Sequence, residues 1–474
     1  MELKPLFKDI ADAIREKDGT TDEIRAADFP GHIRAIQGGG VTVEKLKITT
    51  PPDKVSYHPG DDFDPTGMAV WAELDNGYGV YVNHSDLAFS PAGPLELGVD
   101  AVTVTFRWDK QVISTVQEIE VVEVPAVQIY GVEWDWDNGN STKGTRTDAS
   151  ANFPEPSPAV NNGTGSSPFD DLMPWAGMVK ETRAGGVEVK EPKYWFKWTK
   201  TGKKLKLQSA NGPVEGFHVD PVNMDRGDGL GELDFSYIGR YHCASGTYKS
   251  ETNKAQQTSI TRSAARTAIH NLGANIWQMD FAQFWYIGML FLVEFAEWDG
   301  QAVIGYGCSA SNSKENNGKT DAMQYHTGTT AANRDTYGYT QYRNIEGWWD
   351  NVYDWIDGCY YTSSGLNVIL NPNQFSDTAN GTLIGSMPSG GYPNDMAIPT
   401  QNGFEWALRP ATTGVNGSTY VPDYWYFVGS NQCLLHGSDY SQSQVRGPFC
   451  VNYSAATSKN ASIGCRLQER PPKA

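Results

Sequence analysis

The most apolar segment of the chain, Phe281 to Phe295 (FAQFWYIGMLFLVEF), sets the tightest limit on how it can fold. It is too short to span a bilayer and carries Gln283 and Glu294, so it reads as a helix buried inside a large domain. The chain's 474 residues are too many for one ordinary core, and about two to four domains are expected. Charged residues make up 20%, while Gly, Trp and Tyr are plentiful. That composition describes a globular, turn-rich, aromatic-rich protein rather than a disordered or coiled one.

Charge and cysteine usage exclude several roles. A net charge of −18 argues against nucleic acid as a partner and against docking on anionic lipid. Glu2 follows Met1 and charges recur through Arg15 without an apolar block, so no secretory signal is read. The cysteines Cys243, Cys308, Cys359, Cys433, Cys450 and Cys465 are scattered, with no C-x-x-C pair. Free, half-buried thiols are expected, with no disulfide framework, structural zinc or cofactor.

Three regions follow one another. Residues 1–40 form a small helical unit, with Leu3, Phe7, Ile10 and Ile14 on one face, Gly19 ending the helix and Thr21-Asp22 capping the next segment, which carries Ile24. Phe29-Pro30 opens a last short helix with Ile33 and Ile36, and Gly38-Gly39-Gly40 is a joint. So little apolar surface is not stable alone, so the unit is expected to oligomerise or to pack on a partner. Residues 41–125 switch to strand alternation: Leu46/Ile48, Met68/Val70/Ala72, Val80/Val82, Val102/Val104/Phe106 and Ile119/Val121. Turn signals such as Asp75-Asn76-Gly77 separate these runs, which predicts a β-sandwich. Residues 126–474 are Gly-, Asn-, Trp- and Tyr-rich, with helices expected over Ser263–Asn271 and Phe281–Trp298.

Within that last region, Asp423 to Leu467 shows neither helical nor strand period. Rigid-looking pieces bracket chemically mixed residues, the composition of a binding surface. The candidate ligand-binding residues are Trp425, Tyr426, Phe427, Val428, Ser430, Asn431, Gln432, Cys433, Leu435, His436, Ser438, Asp439, Tyr440, Gln442, Gln444, Val445, Arg446, Cys450, Asn452 and Tyr453. Trp425, Tyr426, Phe427, Tyr440 and Tyr453 are read as stacking surfaces, and His436, Asp439 and Arg446 as polar contacts. Elsewhere, Trp348, Trp349, Val352, Tyr353 and Trp355 are read as core. Asn351, Asp354 and Asp357 are expected to hold turns, and Arg466 to pair with a buried carboxylate such as Glu294.

Several motifs carry resemblances. The run Pro51, Tyr57, Gly60, Phe63, Gly67, Val70 resembles bacterial immunoglobulin-like domains, which are usually spacers. Asn344 to Gly358 resembles an element of the formylglycine-generating-enzyme branch of the C-type lectin fold, and residues 262–266 with Leu292-Val293-Glu294-Phe295 accompany it in that resemblance of residues 126 to 467 as a whole. Phe449 to Leu467, with Gly464-Cys465-Arg466-Leu467 at its end, resembles variable proteins diversified by retroelements. LKPLFKDIADAIREKDGTTDEIRAADFPGHIRAI resembles an attachment segment of phage tail proteins.

Together these resemblances imply a multidomain protein: a helical attachment segment, an immunoglobulin-like β-sandwich and an α+β C-type lectin fold. A variable region about 424–467 would lie in that last domain. They imply a non-enzymatic tail receptor-binding protein on the virion. Its partners would be a host bacterial surface receptor, protein or glycan, and other tail proteins. A homo-oligomer, with a trimer suited to a tail tip, is implied as well. The two rival readings are an enzyme of the formylglycine-generating type and a bacterial surface adhesin. Against the enzyme, no two histidines are four residues apart and no close cysteine pair occurs. Randomised template adenines would turn asparagine codons into many others, which would also explain reactive cysteines exposed in a binding loop.

Overall fold

A computed structural model describes residues 3–18, 24, 42–123, 126–139, 141–309, 311–415, 420–427, 431–442 and 446–472, with side chains from residue 8 onward except 9 and 18. The readings at Leu3 and Phe7 as side chains, Gly19, Thr21-Asp22, Phe29-Pro30, Ile33, Ile36 and Gly38–Gly40 lie outside the described residues, as do Val428, Ser430, Gln444 and Val445. The protein is β-rich, with several sheets, and divides into two compact units, Met1–Ala126 and Val127–Ala474.

In the first unit a helix spans Leu3–Asp18, and its Ala11 and Ile14 are buried together with Ile24. Strands Val43–Thr50, Ala69–Leu74 and Gly79–Val82 form one antiparallel sheet, and Leu87–Ser90, Ala101–Trp108 and Gln111–Glu118 form another. Val43, Leu46, Val70, Ala72 and Val82 from the first sheet share a core with Val104 and Phe106 from the second. The alternation of the sequence is therefore kept: Val102, Val104 and Phe106 point inward while their neighbours reach solvent. The strand Gln111–Glu118 escapes that reading because Val112 and Val116 face outward.

The second unit is organised around the helix Phe281–Phe295, and each of its residues is buried. Asp280 caps its start by accepting from the Gln283 N–H, and Ala296 ends it in the left-handed region at φ 53°. It packs on an antiparallel sheet ordered Thr145–Asp148, Ile129–Asp135, Lys204–Ala210, Trp195–Thr201, His218–Val219. A second five-stranded sheet takes the chain's last strand, Leu467–Glu469, between Phe235–Gly239 and Ile276–Gln278. The helix over residues 263–271 is found at Arg262–His270, capped by the Thr261 hydroxyl. Trp348, Trp349, Val352, Tyr353 and Trp355 are buried.

The ion pairs differ from the sequence reading. Glu294 is held by Arg343, with 2.5 Å between Nη2 and Oε1, and by the Tyr342 hydroxyl at 3.0 Å. Arg466 does pair with a buried carboxylate, but that of Asp354, at 3.2 Å, and its guanidinium also donates to the carbonyls of Gly239, Arg240, Glu346 and Gly347. Asp354 is an ion-pair residue, receiving Arg466 and His242, whereas Asp357 both accepts the neighbouring Gly358 N–H at 2.9 Å and receives Arg266 at 2.6 Å. Asn351, at φ 72°, does hold backbone, bonding both the N–H and the carbonyl of Glu315.

Replacing Arg466 with Met leaves Asp354 without its guanidinium and takes a donor from four buried carbonyls, of which that of Arg240 keeps the Glu346 N–H. A loss of about 3–5 kcal/mol is expected in the unfolding transition of the second unit, read by urea titration followed through tryptophan fluorescence. A change below about 1 kcal/mol would contradict the clamp.

Candidate functional site

The terminal stretch is more regular than its sequence implies. Cys433–His436 pairs antiparallel with Val451–Ser454 and with Tyr353–Trp355, and Ile463–Gly464 closes that four-stranded sheet. Cys433, Leu434, Leu435 and His436 are all buried, so no alternation shows in the sequence. Immediately before it, Asp423 to Phe427 runs extended between two neighbours. Trp425 exchanges both backbone hydrogen bonds with Gly391 at 3.0 Å, and the Tyr426 N–H donates to the Val451 carbonyl at 2.8 Å. Here the alternation is strict: Asp423, Trp425 and Phe427 are buried while Tyr424 and Tyr426 are half-buried.

That geometry puts Tyr424 and Tyr426 side by side, with ring centroids 4.1 Å apart. Tyr392, at the start of the strand Tyr392–Ala397, meets Tyr424 edge-on at 4.9 Å, and Tyr453 lies 6.5 Å from Tyr426. The Arg446 guanidinium stands 5.1 Å from the Tyr426 centroid. It donates to the hydroxyls of Tyr353 at 2.7 Å and Tyr426 at 3.3 Å. The result is a half-exposed face of four tyrosines and one arginine on a fully packed base. Tyrosines of this kind give contact area at low entropic cost, and arginine adds a charged, planar donor beside them.

Of the candidate residues, Tyr426, Tyr453 and Arg446 come together in this face. Asn452 is half-buried and accepts from the Tyr453 N–H. Asn431 is exposed, and Gln432, Tyr440 and Gln442 are half-buried. The others are interior. Trp425 packs on Phe284, and Phe427 on Tyr361 and Trp425, so neither offers a stacking face to solvent. Leu435 lies in a small core with Tyr353 and Ile463. The Ser438 N–H donates to the Trp349 carbonyl, and buried Asp439 accepts from the Ser441 N–H and hydroxyl, both at 2.7 Å. All six cysteines are buried, Cys433 and Cys450 included, so the expectation of exposed thiols is corrected. Burial pushes the Cys433 thiol up to about 11 and Cys450 higher still, which keeps both protonated and unreactive.

His436 is also a core residue. It lies 4.3 Å from the Trp348 ring and 5.2 Å from Phe284, and its Nε2–H donates to the Pro448 carbonyl at 2.9 Å. Burial depresses its pKa to about 4, partly offset by the Pro448 carbonyl. Nearby, burial works to raise the Asp354 carboxyl, but His242 and Arg466 hold it below its ordinary range. Burial pushes Asp423 up to about 8, against the N–H groups of Gly447 and Phe449 that bond it.

Sequence reasoning missed Tyr392 and Tyr424. The run Asp-Tyr-Trp-Tyr-Phe could have supplied Tyr424, since an extended segment sends its first and third aromatic partners to one side. Nothing local marks Tyr392, which arrives from a distant hairpin. In the same strand as Tyr392, Asp395 pairs with Lys200 at 2.7 Å and Asn394 accepts from the Thr412 hydroxyl.

No protein-family profile matches this chain, and no curated protein matches it. Among solved structures, PvdO from Pseudomonas aeruginosa is similar at 10% identity, covering 62% of this chain and 98% of its own, with a TM-score of 0.30. A likeness that faint assigns neither a fold nor a function.

His436 is expected to stay neutral from pH 8 down to about 5, seen as constant imidazole carbon shifts in an NMR titration. The unfolded chain takes up that proton near pH 6.5 and the folded chain only near 4, so protonation opposes folding as pH falls through this window. A folded-state midpoint near 6.5 would show that the ring is not sealed in the core.

Proposed function

We propose that this chain is a non-enzymatic receptor-binding protein of a phage tail. Its face of Tyr392, Tyr424, Tyr426, Tyr453 and Arg446 contacts a ligand on the surface of a host bacterium. The observation that carries this reading is the half-exposed tyrosine–arginine face itself, set on a base of buried side chains. Residues 1–40 attach to other tail proteins and form the homo-oligomer, and residues 41–125 act as an immunoglobulin-like spacer. Residues 126–474 adopt a C-type lectin fold. Several copies per particle raise weak single-site binding through avidity.

In this reading retroelement diversification acts on the solvent-facing positions of 424–467. The buried positions, Trp425, Phe427, Leu435 and His436 among them, serve the scaffold. The catalytic alternative has little support from Cys433 and Cys450, which are buried and whose thiols burial keeps protonated.

The test is adsorption of the purified, fluorescently labelled full chain to intact cells of bacteria that its phage infects. The double variant Tyr426→Ser, Tyr453→Ser is expected to bind at least tenfold more weakly while its melting curve stays that of the wild type. Unchanged adsorption with the tyrosines gone would remove the binding role from this face.

A further inference from the structure

Arg446 indicates what such a face would grip. Buried and half-buried arginines of this unit commonly hold a carboxylate, as Arg226 holds Asp280, Arg343 holds Glu294 and Arg466 holds Asp354. Arg446 does not: among the described residues it forms no ion pair, and its side chain bonds only the hydroxyls of Tyr353 and Tyr426. The acid that senses it, Asp423, is committed elsewhere. One Asp423 oxygen accepts the Gly447 N–H and the other the Phe449 N–H at 2.8 Å, and burial favours its neutral form. A guanidinium charge is therefore left uncompensated beside an aromatic surface. Arginine is always ionised and is built for two parallel bonds to a carboxylate.

Two further observations narrow the partner. The chain as a whole carries −18, which repels polyanions at long range. That field is screened beyond about 8 Å at physiological salt, so a single acidic group is still attracted at contact. The face is also built from rings lying side by side. Tyrosine and arginine are the side chains enriched where protein partners bind, so this composition suits a protein surface.

Resting on the binding role above, we propose that the group recognised at this site is a single carboxylate side chain, Asp or Glu, on a protein surface. It seats against the Arg446 guanidinium while the faces of Tyr424 and Tyr426 cover the apolar residues around it.

The test is selection of a random peptide library displayed on yeast against the immobilised full chain, in parallel with Arg446→Glu and Arg446→Gln. Wild-type selections are expected to enrich peptides with Asp or Glu at one fixed position, and those peptides to lose at least tenfold affinity for Arg446→Gln. Arg446→Glu is expected to enrich Lys or Arg at the corresponding position. Thermal melts of both variants matching the wild type establish that the effect is not unfolding, and if Arg446→Glu fails to fold, Arg446→Gln alone decides. Wild-type selections without an acidic position, including ones that enrich nothing, overturn the proposal. So do acidic peptides that bind Arg446→Gln as well as wild type, and so does a neutral saccharide array that binds wild type and Arg446→Gln alike. Peptides that ignore Arg446 but are lost in Tyr426→Ser, Tyr453→Ser sink the carboxylate inference alone. Peptides indifferent to both changes count against the binding face itself.

Discussion

Irregular backbone inside a protein must find hydrogen-bond partners, since a buried polar group without one costs about 1–3 kcal/mol. In the second unit buried arginines meet that need. Arg466 joins four carbonyls from two separate segments to Asp354. Arg262 donates to the carbonyls of Ile356, Cys359 and Ser376 and pairs with Asp377 at 2.9 Å. Arg240 reaches the Asn344 carbonyl, Gln341 and Thr320. A planar guanidinium with five donors serves loops that no ladder could serve, provided its charge is matched by a buried carboxylate. The domain can thus be poor in long elements and still well packed.

That scaffold decides what the terminal segment can present. Because Trp425 is pinned by backbone bonds to Gly391, the residues on either side of it must turn outward, and both are tyrosines. Asp423 fixes the other end of the segment by bonding the N–H groups of Gly447 and Phe449, directly after Arg446. The face is consequently assembled from positions far apart in sequence yet rigidly related, as recognition by preorganised surfaces requires. From Val421 to Phe427 half-exposed positions alternate with interior ones, so variation there is confined by packing to about every second residue.

Much of this was legible in the sequence. The helix Phe281–Phe295 declared itself because nothing but a core accommodates so apolar a segment, and the inward strand positions of the first unit followed from their period. The alternation failed where both sides of a strand are buried, as at Cys433–His436, and where the outward residues are themselves apolar, as at Val112 and Val116. Cys433, Cys450 and His436 read as surface chemistry because composition cannot tell a polar residue sealed in a core from one facing water. The partner of Arg466 was out of reach for another reason: Glu294 and Asp354 are both acids in aromatic surroundings, and only the three-dimensional arrangement separates them.

The central claim is that a tightly packed scaffold carries a face whose side chains are free to vary. A display library holding all single substitutions across 423–467 of the full chain, sorted by resistance to proteolysis, tests it most directly. Tyr424, Tyr426, Asn431, Ser441, Arg446 and Tyr453 are expected to accept most replacements. Asp423, Trp425, Phe427, Leu434, His436 and Phe449 should reject nearly all. Equal intolerance at both sets, or collapse on replacing the half-exposed tyrosines, would show that the face belongs to the core and is not a binding surface.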